Sequence, residues 1–318
     1  MFDPGTIGLL LALLSAVFWA SLDITRKHIG GSMTASAAVI GLMFWQAPLI
    51  APFLAGTEAG LSPAASNPLY EILFVGVPSL TLDYGLLAAV SVALNIVANL
   101  LFLRAVQISP LSLTTPYLAF TPVFSALAAY LTIGQEPTGW GIAGIGTVCL
   151  GAFFLNPGQT EAGILAPLKA LWDERGSLYM VVVALLWSVT PVVDKEAAAM
   201  TSPMWHTLVL ALGIGLGLVG WRLARDRRAA ELLDELRSMR GWLIAGGFFL
   251  VGAMVLQLAS YEFIKIAYVE TLKRAVGVLG AILAGWILFE EKDIARGLGG
   301  ALVMAAGVAM ILMTDAGV

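Results

Sequence analysis

Charge and cysteine are scarce in this chain. Lys, Arg, Asp and Glu make up 12% of its 318 residues, against about 25% in an average soluble domain. The single cysteine, Cys149, sits inside an apolar run. It reads as a small buried hydrophobe and excludes an intrachain disulfide. The two histidines, His28 and His206, lie far apart at helix ends and suggest no metal site. No GxxxxGK[ST] loop is present, so the chain does not itself hydrolyse nucleotide. An intramembrane enzyme would need a convergent nucleophile–base or metal set at membrane depth. Two helix-end histidines and one apolar-lined cysteine do not supply that set, so a non-enzymatic role without cofactors is expected. The N-terminal MFDPGTIG lacks the basic region of a secretory signal, and the first apolar segment is read as retained.

Apolar residues are what the chain has, at 59%. A globular core cannot bury that much, so lipid must be part of the solvent. Ten apolar segments follow one another, at about 6–28, 36–55, 84–105, 113–133, 138–155, 177–198, 203–222, 241–263, 269–289 and 294–314. Each approaches the roughly 20 helical residues that cross a hydrocarbon core about 30 Å thick. Backbone polar groups in lipid must be paired within helices or a closed barrel. Barrel strands alternate apolar and polar residues, which LLLALLSAVFWA and ALVMAAGVAMILM do not. An all-α polytopic membrane protein with ten transmembrane helices is expected.

Cytoplasmic loops collect Lys and Arg. The odd-numbered loops and their flanks carry thirteen such residues, six of them in loop 7–8 (Arg222, Arg225, Arg227, Arg228, Arg237 and Arg240), and the even-numbered loops carry four. Both termini are therefore predicted on the non-cytoplasmic side of a cell (inner or plasma) membrane. Loop 7–8, RLARDRRAAELLDELRSMR, is predicted to form a short amphipathic helix on the inner surface.

The segments split into two fives, residues 1–157 and 158–318. Segment one reads AVFWASLDITRK from Ala16 to Lys27, and segment six reads ALLWSVTPVVDK from Ala184 to Lys195. GQEPTGW near Glu136 and FEEKDIA near Glu291 are each followed by a Gly-rich span. An odd number of helices per repeat inverts the second half, as in many secondary transporters whose site lies at the repeat interface near the midplane. These features resemble the drug/metabolite transporter superfamily in its EamA-type ten-helix form. The resemblance covers essentially the whole chain. It implies two inverted five-helix repeats around a central cavity lined by helices one, three, four, six, eight and nine, with five and ten peripheral. Members are usually described with cytoplasmic termini, the reverse of what the loop charges indicate here.

Polar groups inside spans are costly and are functional candidates by default. Asp23 shares a face with Trp19 and Lys27 at i,i+4 spacing. It could couple protons, or simply pair with Lys27 or Arg26. Asp194 and Lys195 end segment six, one turn after Pro191. Asn95 and Asn99 share a face of segment three, able to bind a polar solute or to join helices. Segment four offers Thr114, Thr115, Pro116, Tyr117, Thr121 and Pro122, whose two prolines suggest a bend. Segment eight brings Gln257 and Tyr261, with Glu262 and Lys265 nearer the interface. Lys273 and Arg274 enter segment nine and need anionic partners, and Asp194 with Glu262 could form a salt-bridge gate with them. Trp19 and Trp187 could line a cavity, whereas Trp140, Trp221 and Trp242 fit an interfacial aromatic belt.

Trp19, Asn95, Asn99, Tyr117, Trp187, Gln257, Tyr261, Lys273 and Arg274 are thus substrate-site candidates. Asp23, Lys27, Asp194, Lys195 and Glu262 are coupling or gating candidates. The expected function is secondary active transport of a small zwitterionic or anionic, amino-acid-like metabolite. A flippase for a lipid or lipid-linked intermediate is the alternative. The expected partners are a small-molecule substrate and the lipid bilayer, with no nucleic acid, in a monomer or homodimer.

Overall fold

A computed structural model of the chain describes residues 3–30, 32–58, 78, 80–108, 115–154, 175–226, 229–289 and 294–313. Its helices are α1 (Pro4–Gly30), α2 (Ala35–Phe44), α3 (Gln46–Glu58), α4 (Leu82–Ile108), α5 (Thr121–Ile133) and α6 (Gly139–Phe154) in the first half. The second half has α7 (Arg175–Ala199), α8 (Pro203–Asp226), α9 (Ala229–Ser238), α10 (Arg240–Ser260), α11 (Ile266–Phe289) and α12 (Ile294–Leu312). No β-sheet forms among the described residues. Among the described residues six stretches are long and apolar enough to cross a membrane: Pro4–Arg26, Ala35–Ala55, Leu82–Ala105, Arg175–Ala199, Pro203–Arg225 and Arg240–Ser260. Tyr117–Ile133, Gly139–Ala152 and Leu302–Leu312 are shorter apolar helices.

Local chemistry sets where these helices start and bend. The Asp3 carboxylate accepts the N–H groups of Gly5 (3.2 Å) and Thr6 (3.1 Å) and so caps α1. The Thr6 hydroxyl, with these backbone bonds, holds the Asp3 carboxyl below its ordinary range. Thr81 caps α4 and Ser202 caps α8 by accepting an N–H three residues on. Segment two is divided at Trp45, ahead of Pro48 and Pro52 in α3, neither of which can donate to the preceding turn. Segment four begins as a 3-10 turn, Thr115–Phe120, and becomes α-helical at Thr121, with Pro122 in its first turn. There the Thr121 hydroxyl takes up the Leu118 carbonyl at 2.7 Å, in line with the bend expected from its prolines. Gly134 closes α5 at φ 69°, a left-handed conformation open to glycine at little cost.

The two halves exchange partners. α1 packs on α10 and α11, and α7 packs on α4 and α5. α8 packs on α2 and α4, while α2 packs on α8 and α10. α5 meets α11, and α6 meets α12. Numbered by sequence segment, each of these contacts maps onto another of them, or onto itself, when the halves are interchanged. Two-fold pseudosymmetry generates this pattern.

α6 and α12 touch through bare backbone. A Cβ on Gly144 would lie 2.7 Å from the Gly307 carbonyl oxygen, and one on Gly307 would lie 2.7 Å from that of Gly144. Gly144→Val is therefore expected to destabilise the fold by about 1–2 kcal/mol, because backbone cannot yield as a side chain does. Gly146→Val, where nothing lies within 4 Å, is the control. Equal unfolding midpoints for the two variants in detergent would refute the contact.

The amphipathic helix expected in loop 7–8 is present as α9. Leu232 is buried on its inner side and Leu233 is exposed. Glu235 anchors it. One carboxylate oxygen accepts the Thr34 N–H (2.7 Å) and hydroxyl (2.6 Å) at the start of α2, and the other meets Arg222 at 2.5 Å. Arg222 also donates to Thr34 Oγ1 (2.8 Å) and Ser36 Oγ (3.2 Å).

Candidate functional site

α1, α10 and α11 bring five polar side chains together inside the bundle. Trp19, midway along α1, donates its indole N–H to Gln257 Oε1 at 2.7 Å. Gln257 Nε2 donates to the Tyr261 hydroxyl (2.6 Å) and to Glu270 Oε1 (3.1 Å). The Tyr261 hydroxyl donates to the same Glu270 oxygen at 2.9 Å. The other Glu270 oxygen pairs with Lys273 Nζ at 2.6 Å. Lys273 also approaches Gln257 Oε1 (3.4 Å) and lies 5.2 Å from the centre of the Trp19 ring. Glu270 is 2% exposed and Tyr261 is fully buried, yet the Lys273 side chain keeps 25% exposure. The buried carboxylate holds the lysine in place, and the lysine stays open on one side.

Arg274 follows directly and is half-buried. Among the described residues it makes no hydrogen bond or ion pair, and Glu270 and Asp23 are the carboxylates within its electrostatic range. The site therefore presents two cations against one buried carboxylate, with an indole face beside them. Such a surface suits a carboxylate or phosphate, while Glu270 and the Trp19 ring suit an ammonium group.

The start of α11 is fixed from the first half. Gln135 Oε1, in the turn after α5, accepts the Ile266 N–H at 3.1 Å. The Tyr268 hydroxyl accepts the Thr138 N–H at 2.9 Å. The GQEPTGW motif thus helps to position the helix that carries Glu270 and Lys273.

A second polar cluster joins α4, α7 and α8. Asp194 Oδ1 accepts a short hydrogen bond from the Ser91 hydroxyl and lies 3.1 Å from His206 Nε2. His206 Nδ1 is 3.4 Å from the Tyr84 hydroxyl. His206 is fully buried, and Tyr84 and Asp194 nearly so. Asn95 Nδ2 bonds back to Ser91 O (3.1 Å) and Ser91 Oγ (3.4 Å), and Asn99 bonds to Asn95 O (2.8 Å). Both amides thus satisfy their own helix.

The structure does not bring Lys273, Arg274, Asp194 and Glu262 together as the expected gate. Lys273 finds its acid one turn upstream on its own helix, where i,i+3 geometry needs no second element. Asp194 is taken by Ser91 and His206. Glu262 is exposed, in the turn after α10, and lies within electrostatic range of Lys195. His206, read from sequence as bland, is a buried partner of Asp194. Asp23 pairs with Arg26 at 3.2 Å with its side chain 56% exposed. Arg26 also lies over the Trp19 ring, 5.8 Å from its centre.

Trp187, the repeat counterpart of Trp19, stacks on Phe102 at 5.7 Å in an apolar cluster that includes buried Tyr117. The two equivalent tryptophans thus face different surroundings, one polar and one aromatic. Of the remaining candidates, the side chain of Lys27 lies outside the described residues, as do Thr114, the side chains of Thr115 and Pro116, and Glu291. Glu270, Ser91 and Tyr84 were not singled out from sequence. The signal for Glu270 was its i,i+3 spacing to Lys273 on an apolar helix.

Residues 6–156 and 174–313 each match the model of a family described as the EamA-like transporter family. A solved structure described only as "Crystal structure of protein" superposes with a TM-score of 0.61 at 15% identity, covering 95% of this chain and 96% of that one. At that identity the likeness speaks for the fold. No curated protein matches the sequence.

Proposed function

This chain belongs to the EamA-like transporter family, of the drug/metabolite transporter superfamily, and from that premise we propose that it is a secondary active transporter of a zwitterionic, amino-acid-like metabolite. The carrying observation is the Glu270–Lys273 pair, buried on the acid side and open on the base side, against the face of Trp19. A zwitterion brings the complementary pair. Its carboxylate would displace Glu270 from Lys273 and engage Arg274, and its ammonium would take the Glu270 carboxylate and the indole face. Exchange of an internal ion pair for an external one offsets much of the desolvation that a buried charge costs.

Transport would proceed by alternating access in a ten-span plan of two inverted five-helix repeats, divided near residue 157. The pseudo-two-fold exchange of helix contacts supports that plan. The loop charges favour a cell membrane location with both termini on the non-cytoplasmic side, in a monomer or homodimer.

The test is a thermal-shift screen of the purified protein with amino acids, their esters, the corresponding amines and short-chain phospholipids. A ligand that binds only the native state raises apparent stability by about 2.7 kcal/mol at a hundred times its Kd. Amino acids are expected to stabilise, and their esters and amines to fail, because each lacks the carboxylate for Lys273 and Arg274. Stabilisation by phospholipids alone, with headgroup translocation in vesicles, would replace this reading with a flippase.

A further inference from the structure

The Asp194–His206 pair has no part in the substrate site, and its chemistry is that of a proton acceptor. With Asp194 ionised, the facing His206 Nε2 must carry hydrogen, and in a neutral imidazole Nδ1 then presents its lone pair toward the Tyr84 hydroxyl. With a neutral imidazole the cluster holds one net negative charge. No Lys or Arg lies within ion-pair distance of Asp194 among the described residues. An uncompensated carboxylate in a dry interior is costly. One solvated proton from the aqueous phase, added at Nδ1, converts imidazole and carboxylate into an imidazolium–carboxylate pair of zero net charge. The Nδ1–H then donates to the Tyr84 oxygen, and nothing else is consumed.

The surroundings favour this assignment. Tyr84 faces His206 from α4, and Tyr261 of α10 lies within electrostatic range of Asp194. Lys195 and Glu196 flank the dyad on α7. The described side chains of α2, α3 and α5 bring no Lys, Arg, Asp or Glu to it. His206 lies in the first turn of α8 and Tyr84 in the first turn of α4, beside exposed Asp83, so the dyad is about one turn from a bundle end. On its other side Tyr261 holds Glu270 of the substrate site. We propose that Asp194 and His206 form a buried proton-binding site, reached by way of Tyr84. Proton binding stands independently of substrate; its use as the coupling step rests on the transporter reading.

The experiment is a pH titration of [¹⁵N]histidine-labelled protein in nanodiscs, without substrate. Only His28 and His206 contribute. His206 is assigned by its loss in His206→Gln, or by elimination in His28→Gln should the former not fold. The His206 resonance is expected to change from the neutral to the doubly protonated imidazole as the sample is acidified. Asp194→Asn is expected to weaken that response, since it removes the charge that would pair with the imidazolium. A His206 resonance that keeps one neutral tautomer throughout overturns the proposal even if Asp194→Asn does not fold. In proteoliposomes supplied with radiolabelled amino acids, the pH profile of uptake is expected to flatten in His206→Gln. An unchanged profile overturns the coupling role. Absence of uptake by the wild type sinks the amino-acid reading and leaves proton binding to be decided by the resonance.

Discussion

Lys273→Ala is expected to be the most damaging single substitution in the substrate site, lowering stability by about 5 kcal/mol, with Glu270→Ala nearer 3 kcal/mol. Breaking a buried ion pair leaves the surviving charge uncompensated, and the cost follows how well water reaches the survivor. Glu270 is 2% exposed, whereas the Lys273 side chain keeps 25%. A lysine left alone can draw water through its open side. A carboxylate left alone keeps the Tyr261 hydroxyl and Gln257 amide as hydrogen-bond donors, with Arg274 only within electrostatic range. The combination Glu270→Gln with Lys273→Met removes both charges, and it is expected to cost less than the two alanine variants summed, as coupled sites do. Chemical unfolding in detergent measures all three. Equal losses for the two alanine variants would contradict the asymmetry. All of them should lose the amino-acid thermal shift, since the zwitterion needs both ends of the pair.

What was legible in the sequence follows from the physics of each signal. Lipid imposes long apolar helices, so the apolar helices could be located within a few residues, and the tryptophan and lysine shared by segments one and six betrayed the repeat. Trp19, Gln257, Tyr261 and Lys273 were named because polar groups stand out against an apolar ground, and they converge. Their acid partner was hidden because Glu270 reads as an interfacial residue before the helix. Whether it turns inward depends on Gln135 and Thr138 fixing the start of α11, contacts about 130 residues away in sequence. His206 was hidden for the same reason. A helix-end histidine is usually solvated, and only the packing of α8 on α4 and α7 places it beside Asp194. Periodicity reports the face of a helix, not the neighbour that covers it.

Arg222→Ala is expected to release α9 at neutral pH, at a cost of about 2–3 kcal/mol, the range for hydrogen bonds to charged groups. Arg222 is the hub, joining Glu235 of α9 to Thr34 and Ser36 at the start of α2. Burial works against ionisation of Glu235. The hydrogen bonds from Thr34 and Arg222, with the charge of Arg222, outweigh it and hold the carboxyl below its ordinary value. A depressed carboxyl contributes stability in full above its unfolded pKa, about 4.3 for glutamate, and loses it as pH falls through the folded value. The wild-type anchor is therefore unaffected near neutrality and lets go only in acid. A nitroxide on a cysteine at exposed Leu233, in a Cys149→Ala background, reports this directly. The wild-type spectrum is expected to stay immobile from neutrality down to about pH 5 and to sharpen below about pH 4.3. With Arg222→Ala it should be mobile already at neutral pH. A spectrum that ignores both the acid and the substitution would show that α9 is held by Leu232 and Leu236 alone.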